Sequence, residues 1–335
     1  MTVRKGIPRL EKHRKEPDFG TKCPEVAGSV PTLEHAAGMG DIVKTEKSRK
    51  GRQKGRLNAM EHTGIMRKEA ERPDFRFLSA TALKLLAAAP MFLDHIHQMF
   101  SAVGAPLWLT MAGRPVFPLF LFAASESFYH TRSKRKYLQR LLAASWGMTI
   151  FTFLLQRLIP NDNVVLMNNA FSTFFVTGLY ILFWDGFMDG LRRRDVKKII
   201  KSVLGGLIPV ACALPIYLVA VLSFQENVSP FTIRLLAMLA LLVPNILTVE
   251  GGFSLVVLGT AFYVFRNHRV LQIAVLLILS GFSYFVDGGI QWMMCFAAIP
   301  IFLYNGKAGR GKKWFFYIFY PAHIALLYLI SAWCC

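Results

Sequence analysis

The chain has 335 residues, with 39 Lys and Arg against 20 Asp and Glu, for a net charge of +19. Such an excess alone suggests a nucleic-acid binder, but 54% of the residues are hydrophobic, 28 are Phe, and the mean hydropathy is +0.39. That is too apolar for a typical soluble domain, so a single soluble domain is excluded and the bulk of the chain reads as a membrane protein.

Residues 1–76 hold 18 basic and 11 acidic side chains and show neither helical nor strand periodicity. Such a segment buries too little apolar surface to offset its ordering entropy, so a disordered basic cytoplasmic tail is expected there. Its most basic stretch, KTEKSRKGRQKGR at 44–56, suits a solvated tail, anionic lipid headgroups or nucleic acid. No apolar stretch lies near Met1, so no secretory signal peptide is expected. Five cysteines (Cys23, Cys212, Cys295, Cys334 and Cys335) show no CxxC spacing, so neither a zinc site nor a disulfide framework is expected, and no metal.

Residues 77–335 contain the long apolar runs. A bilayer crossing takes about 20 helical residues. Helices are predicted near 77–99, 106–129, 138–159, 169–188, 199–223, 231–249, 252–266, 270–286, 290–304 and 314–333, an all-α transmembrane bundle of nine or ten spans. Pro244 and Gly251-Gly252 interrupt 231–266, so that run is either two short helices or one broken one. The connections RSKRK (132–136), RRRDVKK (192–198) and KAGRGKK (307–313) are basic, whereas 160–163 and 225–230 carry no Lys or Arg. By the positive-inside rule the basic set and the N-terminus are cytoplasmic, against the anionic inner leaflet.

Ionisable groups at membrane depth are expensive and are functional candidates by default. The first helix carries Lys84, Asp94, His95 and His97. Lys84 and His95 are eleven steps apart, ~20° past three full turns, so they share a face ~16 Å apart along the axis. A cation with an imidazole deeper on the same face suits a long anionic ligand; the alternative is a snorkelling Lys and an interfacial cap. His95 and His97 differ by ~200° and cannot grip one ion, whereas Asp94 and His97, three apart, are expected as neighbours. Arg114 opens the next helix, and Glu126 and His130 lie one turn apart ahead of Arg132. His323 follows Pro321 in the last helix, either as a site residue or as a packing polar group. The chain contains no Walker A loop, no GxGxxG opening a helix, no GxSxG and no HExxH, so nothing supports an ATP-driven pump, a dinucleotide enzyme or a serine hydrolase.

The segments LKLLAAAPMFLDHI, LTMAGRPVFPLFLFAASESFYHTR, NNAFSTFFVTGLYIL and FFYIFYPAHIALL together resemble the TraX family, whose namesake N-acetylates the pilin of conjugative F-like plasmids. The Lys84–x10–His95 spacing is also similar to the basic–x10–His motif of the acyltransferase-3 family of membrane acyltransferases. The resemblance implies a bacterial inner-membrane enzyme that transfers an acetyl group from acetyl-CoA, reached from the cytoplasm. It makes His95 the general base, with Asp94 helping to position or polarise the site. It makes Lys84 and Arg114 contacts to the donor phosphates or to a developing oxyanion, and sets Glu126, His130 and Arg132 at the mouth where the nucleotide enters. His323 is a second-site candidate. A pilin N-terminus, a glycan hydroxyl and a lipid-linked amine all fit as acceptors, and nucleic acid ranks last among partners. The competing reading is a secondary transporter with broken helices at 231–266 and 314–333.

Overall fold

The computed structural model describes residues 75–225, 228–311 and 313–334. The reading of 1–76 as a disordered tail therefore falls, apart from Phe75 and Arg76, outside the described residues. In chain order the α-helices are α1 Ala80–Phe100, α2 Trp108–Gly113, α3 Val116–Tyr129, α4 Lys134–Leu158, α5 Ala170–Arg193, α6 Val196–Ala211 and α7 Leu214–Leu222. They continue with α8 Pro230–Leu241, α9 Gly252–Val264, α10 Arg269–Asp287, α11 Ala298–Phe302 and α12 Lys313–Cys334. All ten predicted segments are helical, and the fold is all-α as expected.

The breaks have local causes. The predicted 106–129 helix splits into α2 and α3 around Arg114-Pro115, and the 199–223 helix splits at 212–213, just before Pro215. The 231–266 run is two short helices, with a turn at Gly251 (φ 77°) and Gly252 (φ 67°) opening the second. Positive φ suits glycine because it has no Cβ to clash. Residues Ile290–Ala297, expected as α-helix, form a 3-10 helix leading into α11. Ser79, Ser133, Asn169, Asp195 and Ser229 each accept a first-turn backbone N–H and so start α1, α4, α5, α6 and α8.

Five helical stretches are long and apolar enough to cross a membrane: Lys134–Leu158, Ala170–Arg193, Val196–Leu222, Arg269–Val286 and Trp314–Cys334. Three shorter apolar helices, Pro230–Leu241, Gly252–Val264 and Ile290–Phe302, accompany them. The chain is a multi-pass membrane protein. Its outward faces agree: Ile200, Leu204, Leu207 and Ile208 on α6 are each more than half exposed, a surface that lipid covers.

Two buried cores flank the middle of the bundle. Leu83, Leu121, Phe122, Leu258, Phe262, Leu276 and Ile301 form one; Met99, Met148, Leu166, Ile324 and Tyr328 form the other. Met91, Phe117 and Phe174 pack against both and join them. The start of α1 is tied to the basic 307–311 loop: Ala80 N donates to the Lys307 carbonyl at 2.9 Å and Thr81 N to that of Ala308 at 3.2 Å. Two of the free amides that begin any helix are thereby satisfied.

Candidate functional site

His95 and His323, from the first and last helices, are both 4% exposed, and His95 Nδ1 lies 2.7 Å from His323 Nε2. The other nitrogen of His323, Nδ1, is 2.5 Å from the carbonyl oxygen of Phe319, one turn back on α12. A carbonyl only accepts, so His323 carries its proton on Nδ1. Neutral His323 then offers Nε2 as an acceptor, and His95 must donate to it from Nδ1. His95 Nε2 is left with its lone pair, facing Asn168 Nδ2 at a long 3.4 Å. The Phe319 ring stacks on His323 with centroids 4.7 Å apart and holds its plane. Chemically, the arrangement is an imidazole fixed in one tautomer with an open proton-accepting nitrogen.

Asn168 also pairs with Gln98 on α1. Gln98 Nε2 donates to Asn168 Oδ1 at 2.9 Å, and Asn168 Nδ2 donates to Gln98 Oε1 at 3.0 Å. This amide pair closes one side of the His95 ring.

Beside the imidazoles lies an ion pair. Arg114 Nη2 donates to Asp94 Oδ1 at 2.8 Å and to Thr110 Oγ1 at 2.6 Å, Nη1 to Gln291 Oε1 at 3.1 Å, and Nε to the Thr110 carbonyl at 3.1 Å. The Thr110 hydroxyl donates to Asp94. Gly113 permits this approach, because a Cβ there would stand 2.6 Å from Asp94 Cγ. Asp94 and His97 stand three apart on α1 as expected, and their hydrogen bonds go elsewhere: His97 Nδ1 contacts the Pro106 carbonyl at 3.1 Å. Arg114 offers Asp94 a permanently charged donor through Nη2, and the Thr110 hydroxyl adds a second donor.

Glu250 is the residue that sequence reasoning missed. It sits just ahead of the Gly251-Gly252 turn, and Tyr320 donates its hydroxyl to Glu250 Oε2 at 2.9 Å. The Asn169 backbone N–H also bonds the carboxylate, and the Ala170 N–H donates to the Tyr320 hydroxyl at 3.1 Å. The Tyr320 ring lies 6.2 Å from that of His95 and 6.0 Å from that of His323, so it links the imidazole pair to Glu250. The available signal was an acidic residue inside an apolar run, next to a helix break.

The predicted site residues fall into two groups. Asp94, His95, Arg114 and His323 gather near the far end of α1. Lys84 lies toward the start of α1, with the 307–311 loop. Glu126 is twelve residues beyond Arg114, ~18 Å if the run were one helix. It hydrogen-bonds Gln272 and faces Arg269, His130 and Arg266. Arg269 stands 5.0 Å from the ring of Tyr304, the residue that bridges to Leu78 at the head of α1, which sets Glu126 at the Lys84 end. Arg266 packs 4.6 Å from the Tyr129 ring and 4.7 Å from that of Tyr263. His130 and Arg132 follow α3 as exposed residues. Arg266 and Arg269 had not stood out in the sequence, because they flank the short connection between α9 and α10 and belong to none of the three basic loops.

Comparison with known proteins follows the same outline. No solved structure gives a significant match. The chain is similar to a protein of Dichelobacter nodosus described as probable fimbrial assembly protein FimC, serogroup H1. The two are 28% identical over 265 residues, which cover 74% of this chain and 94% of that one. Residues 79–331 match the family described as TraX protein, a stretch that begins at the cap of α1 and takes in both imidazoles, the Asp94–Arg114 pair and Glu250. The chain belongs to the TraX family.

Proposed function

We propose that the protein is an integral membrane acetyltransferase that moves an acetyl group from acetyl-CoA to an amine or hydroxyl presented at the membrane. The observation that carries this reading is the Phe319–His323–His95 chain of hydrogen bonds, which leaves His95 Nε2 as a free base. In the step, the acceptor N or O bonds to the acetyl carbonyl carbon while His95 Nε2 takes its proton. The carbon–sulfur bond then breaks, and the CoA thiolate leaves with the proton that the imidazolium returns. General-base help of this kind contributes ~10²–10⁴-fold. The Arg114 guanidinium, its charge balanced by Asp94, is the cationic group next to the imidazoles and suits the oxyanion that develops on the carbonyl.

The donor fits the opposite end. Its anionic nucleotide needs cations, and Lys84, Arg132, Arg266 and Arg269 lie there with the 307–311 loop, beside Glu126 and His130. The positive-inside balance makes that end cytoplasmic, where acetyl-CoA is available. The acyl arm then runs along the Lys84–His95 face toward the imidazole. Similarity to a protein described as involved in fimbrial assembly, together with TraX membership, supports a pilin or another envelope component as the acceptor.

The test uses the purified full chain in lipid nanodiscs with radiolabelled acetyl-CoA and envelope extracts as acceptor. Wild type is expected to label a component of the extract and release free CoA thiol. His95→Ala is expected to abolish both at unchanged thermal stability. Equal labelling by wild type and His95→Ala sinks the mechanism.

A further inference from the structure

Resting on the acetyltransferase reading above, we infer that the cavity walled by Asn168 on its inner side and by Arg157 and Arg234 at its rim is the acceptor site, and that the two arginines select acceptors carrying an anionic group.

A cavity of about 480 Å³ lies between α4, the 160–169 connection and α8, a size usual for small-ligand sites. Asn168, Asn169 and Thr248 line it. Asn168 is the residue whose amide faces His95 Nε2 at 3.4 Å, and the Asn169 backbone amide bonds Glu250. One layer of side chain therefore separates the cavity from the free base. An amine or hydroxyl that takes the place of the Asn168 amide meets the same lone pair.

The walls are built in advance of any ligand. Gln156 holds the connection through both ends of its amide: Nε2 donates to the Leu166 carbonyl at 3.1 Å, and Oε1 accepts from Leu166 N at 2.9 Å. Asn161 Nδ2 donates to Ser331 Oγ at 3.1 Å, and the Tyr328 hydroxyl to the Ile159 carbonyl at 2.8 Å. Such fixed walls reduce the ordering cost of binding.

The rim carries the specificity. Asn169 Nδ2 donates to Thr149 Oγ1 at 2.9 Å, so Thr149 marks the level of the inner wall on α4. Arg157 is eight residues further along the same helix, ~12 Å at ~1.5 Å per residue. Its guanidinium lies 5.4 Å from the Phe231 ring, and Arg234 is the next turn of α8 on the same side. These two cations stand at the end of α4 away from its basic head at 132–136. The positive-inside rule gives them no role in orientation there, and only Asp162 among the cavity's lining residues carries a negative charge. A pair of guanidinium groups suits a carboxylate or a phosphate by bidentate hydrogen bonds. The fitting acceptor presents its nucleophile ~12 Å inward of that anion. Donor and acceptor would then approach His95 from opposite ends of the bundle, which keeps the thioester away from acceptor-side water.

The experiment pairs binding with transfer, using the full chain in nanodiscs made only of zwitterionic lipid. The probes are a free-amine tetrapeptide ending in a carboxylate, the same peptide ending in a carboxamide, and an aminoalkyl phosphate of matching length. Equilibrium dialysis without acetyl-CoA reads binding, and labelled acetyl-CoA reads transfer. Wild type is expected to prefer one anionic probe over the carboxamide at least tenfold, and which one wins separates a carboxylate from a phosphate acceptor. Arg157→Gln/Arg234→Gln is expected to erase that preference, and Ala237→Trp, which fills the cavity, to remove binding, both at wild-type thermal stability. Binding that follows this pattern without transfer keeps the site and sinks the acetyltransferase reading. Transfer that ignores both variants, or no probe bound by wild type, overturns the site assignment.

Discussion

His95 and His323 share a hydrogen bond of 2.7 Å between Nδ1 and Nε2, although they stand 228 positions apart in the chain. The bond ties the first helix to the last, and its direction is dictated by a third group, the Phe319 carbonyl, which takes the only proton that neutral His323 has. His323 is thereby a positioning residue for His95, and its removal frees the His95 proton to move to Nε2.

His323→Ala is therefore expected to lower kcat for acetyl transfer about 10²-fold while changing KM little, because the wrong tautomer of His95 becomes populated. His323→Gln restores an acceptor for His95 Nδ1 and is expected to recover part of the loss. Steady-state kinetics on the three proteins checks this; equal loss in both variants overturns the tautomer argument.

The Asp94–Arg114 pair is about one-quarter exposed on each side, 27% and 26%. Asp94→Ala leaves the Arg114 guanidinium without its charge partner and is expected to cost about 2 kcal/mol, less than for a fully buried pair. The double variant Asp94→Ala/Arg114→Ala is expected to be more stable than Asp94→Ala alone. Thermal unfolding in one detergent, run as a double-mutant cycle, measures the coupling.

Gly113→Ala places a Cβ 2.6 Å from Asp94 Cγ, so α2 must retreat from α1. The expected result is a loss of ~1–3 kcal/mol in stability. A drop in activity should accompany it, since Arg114 moves with α2. Unchanged melting and unchanged activity would show that the two helices have slack.

Glu250→Ala removes the acceptor of the Tyr320 hydroxyl and of the Asn169 amide. Each stranded donor costs ~1–3 kcal/mol. Glu250→Gln keeps an oxygen in place and is expected to retain more stability. Comparing the two by thermal unfolding separates loss of the hydrogen-bond acceptor from loss of the carboxyl group itself.

Lys134 bonds Asp185 and sits 3.3 Å from the Tyr263 hydroxyl, which donates to both Asp185 oxygens at 3.0 and 2.9 Å. The cluster joins α4, α5 and α9 at the Lys84 end. Lys134 and Asp185 are about one-third exposed while Tyr263 is buried at 3%, and the two charged groups keep each other when the hydroxyl is removed, so Tyr263→Phe is expected to cost about 1–2 kcal/mol. An activity loss above tenfold with an unchanged melting temperature would show instead that the cluster touches a substrate.

The helices were legible because apolar runs of membrane length leave little alternative. The Lys84–His95 spacing likewise put the two residues on one face of α1. Partners across the bundle were not legible. His95 with His323, and Arg114 with Gln291, are chosen by packing between helices far apart in sequence, which helical periodicity does not encode. Asp94 shows the limit within one helix: the i,i+3 rule offered His97, but the glycine that lets α2 close in supplied a stronger partner. Glu250 was not legible because its partners, the Tyr320 hydroxyl and the Asn169 amide, lie 70 or more positions away in the chain.

Asp94 and Arg114 also bear on how the protein is made. Either charge entering the bilayer alone carries a penalty of up to ~3 kcal/mol. Only thirteen residues separate the end of α1 from Arg114, which brings the opposing charge. Leaving the ribosome, α1 is expected to gain from waiting for its successor, so that the two enter the lipid as a neutralised hairpin and the candidate site is half assembled before the remaining helices are translated.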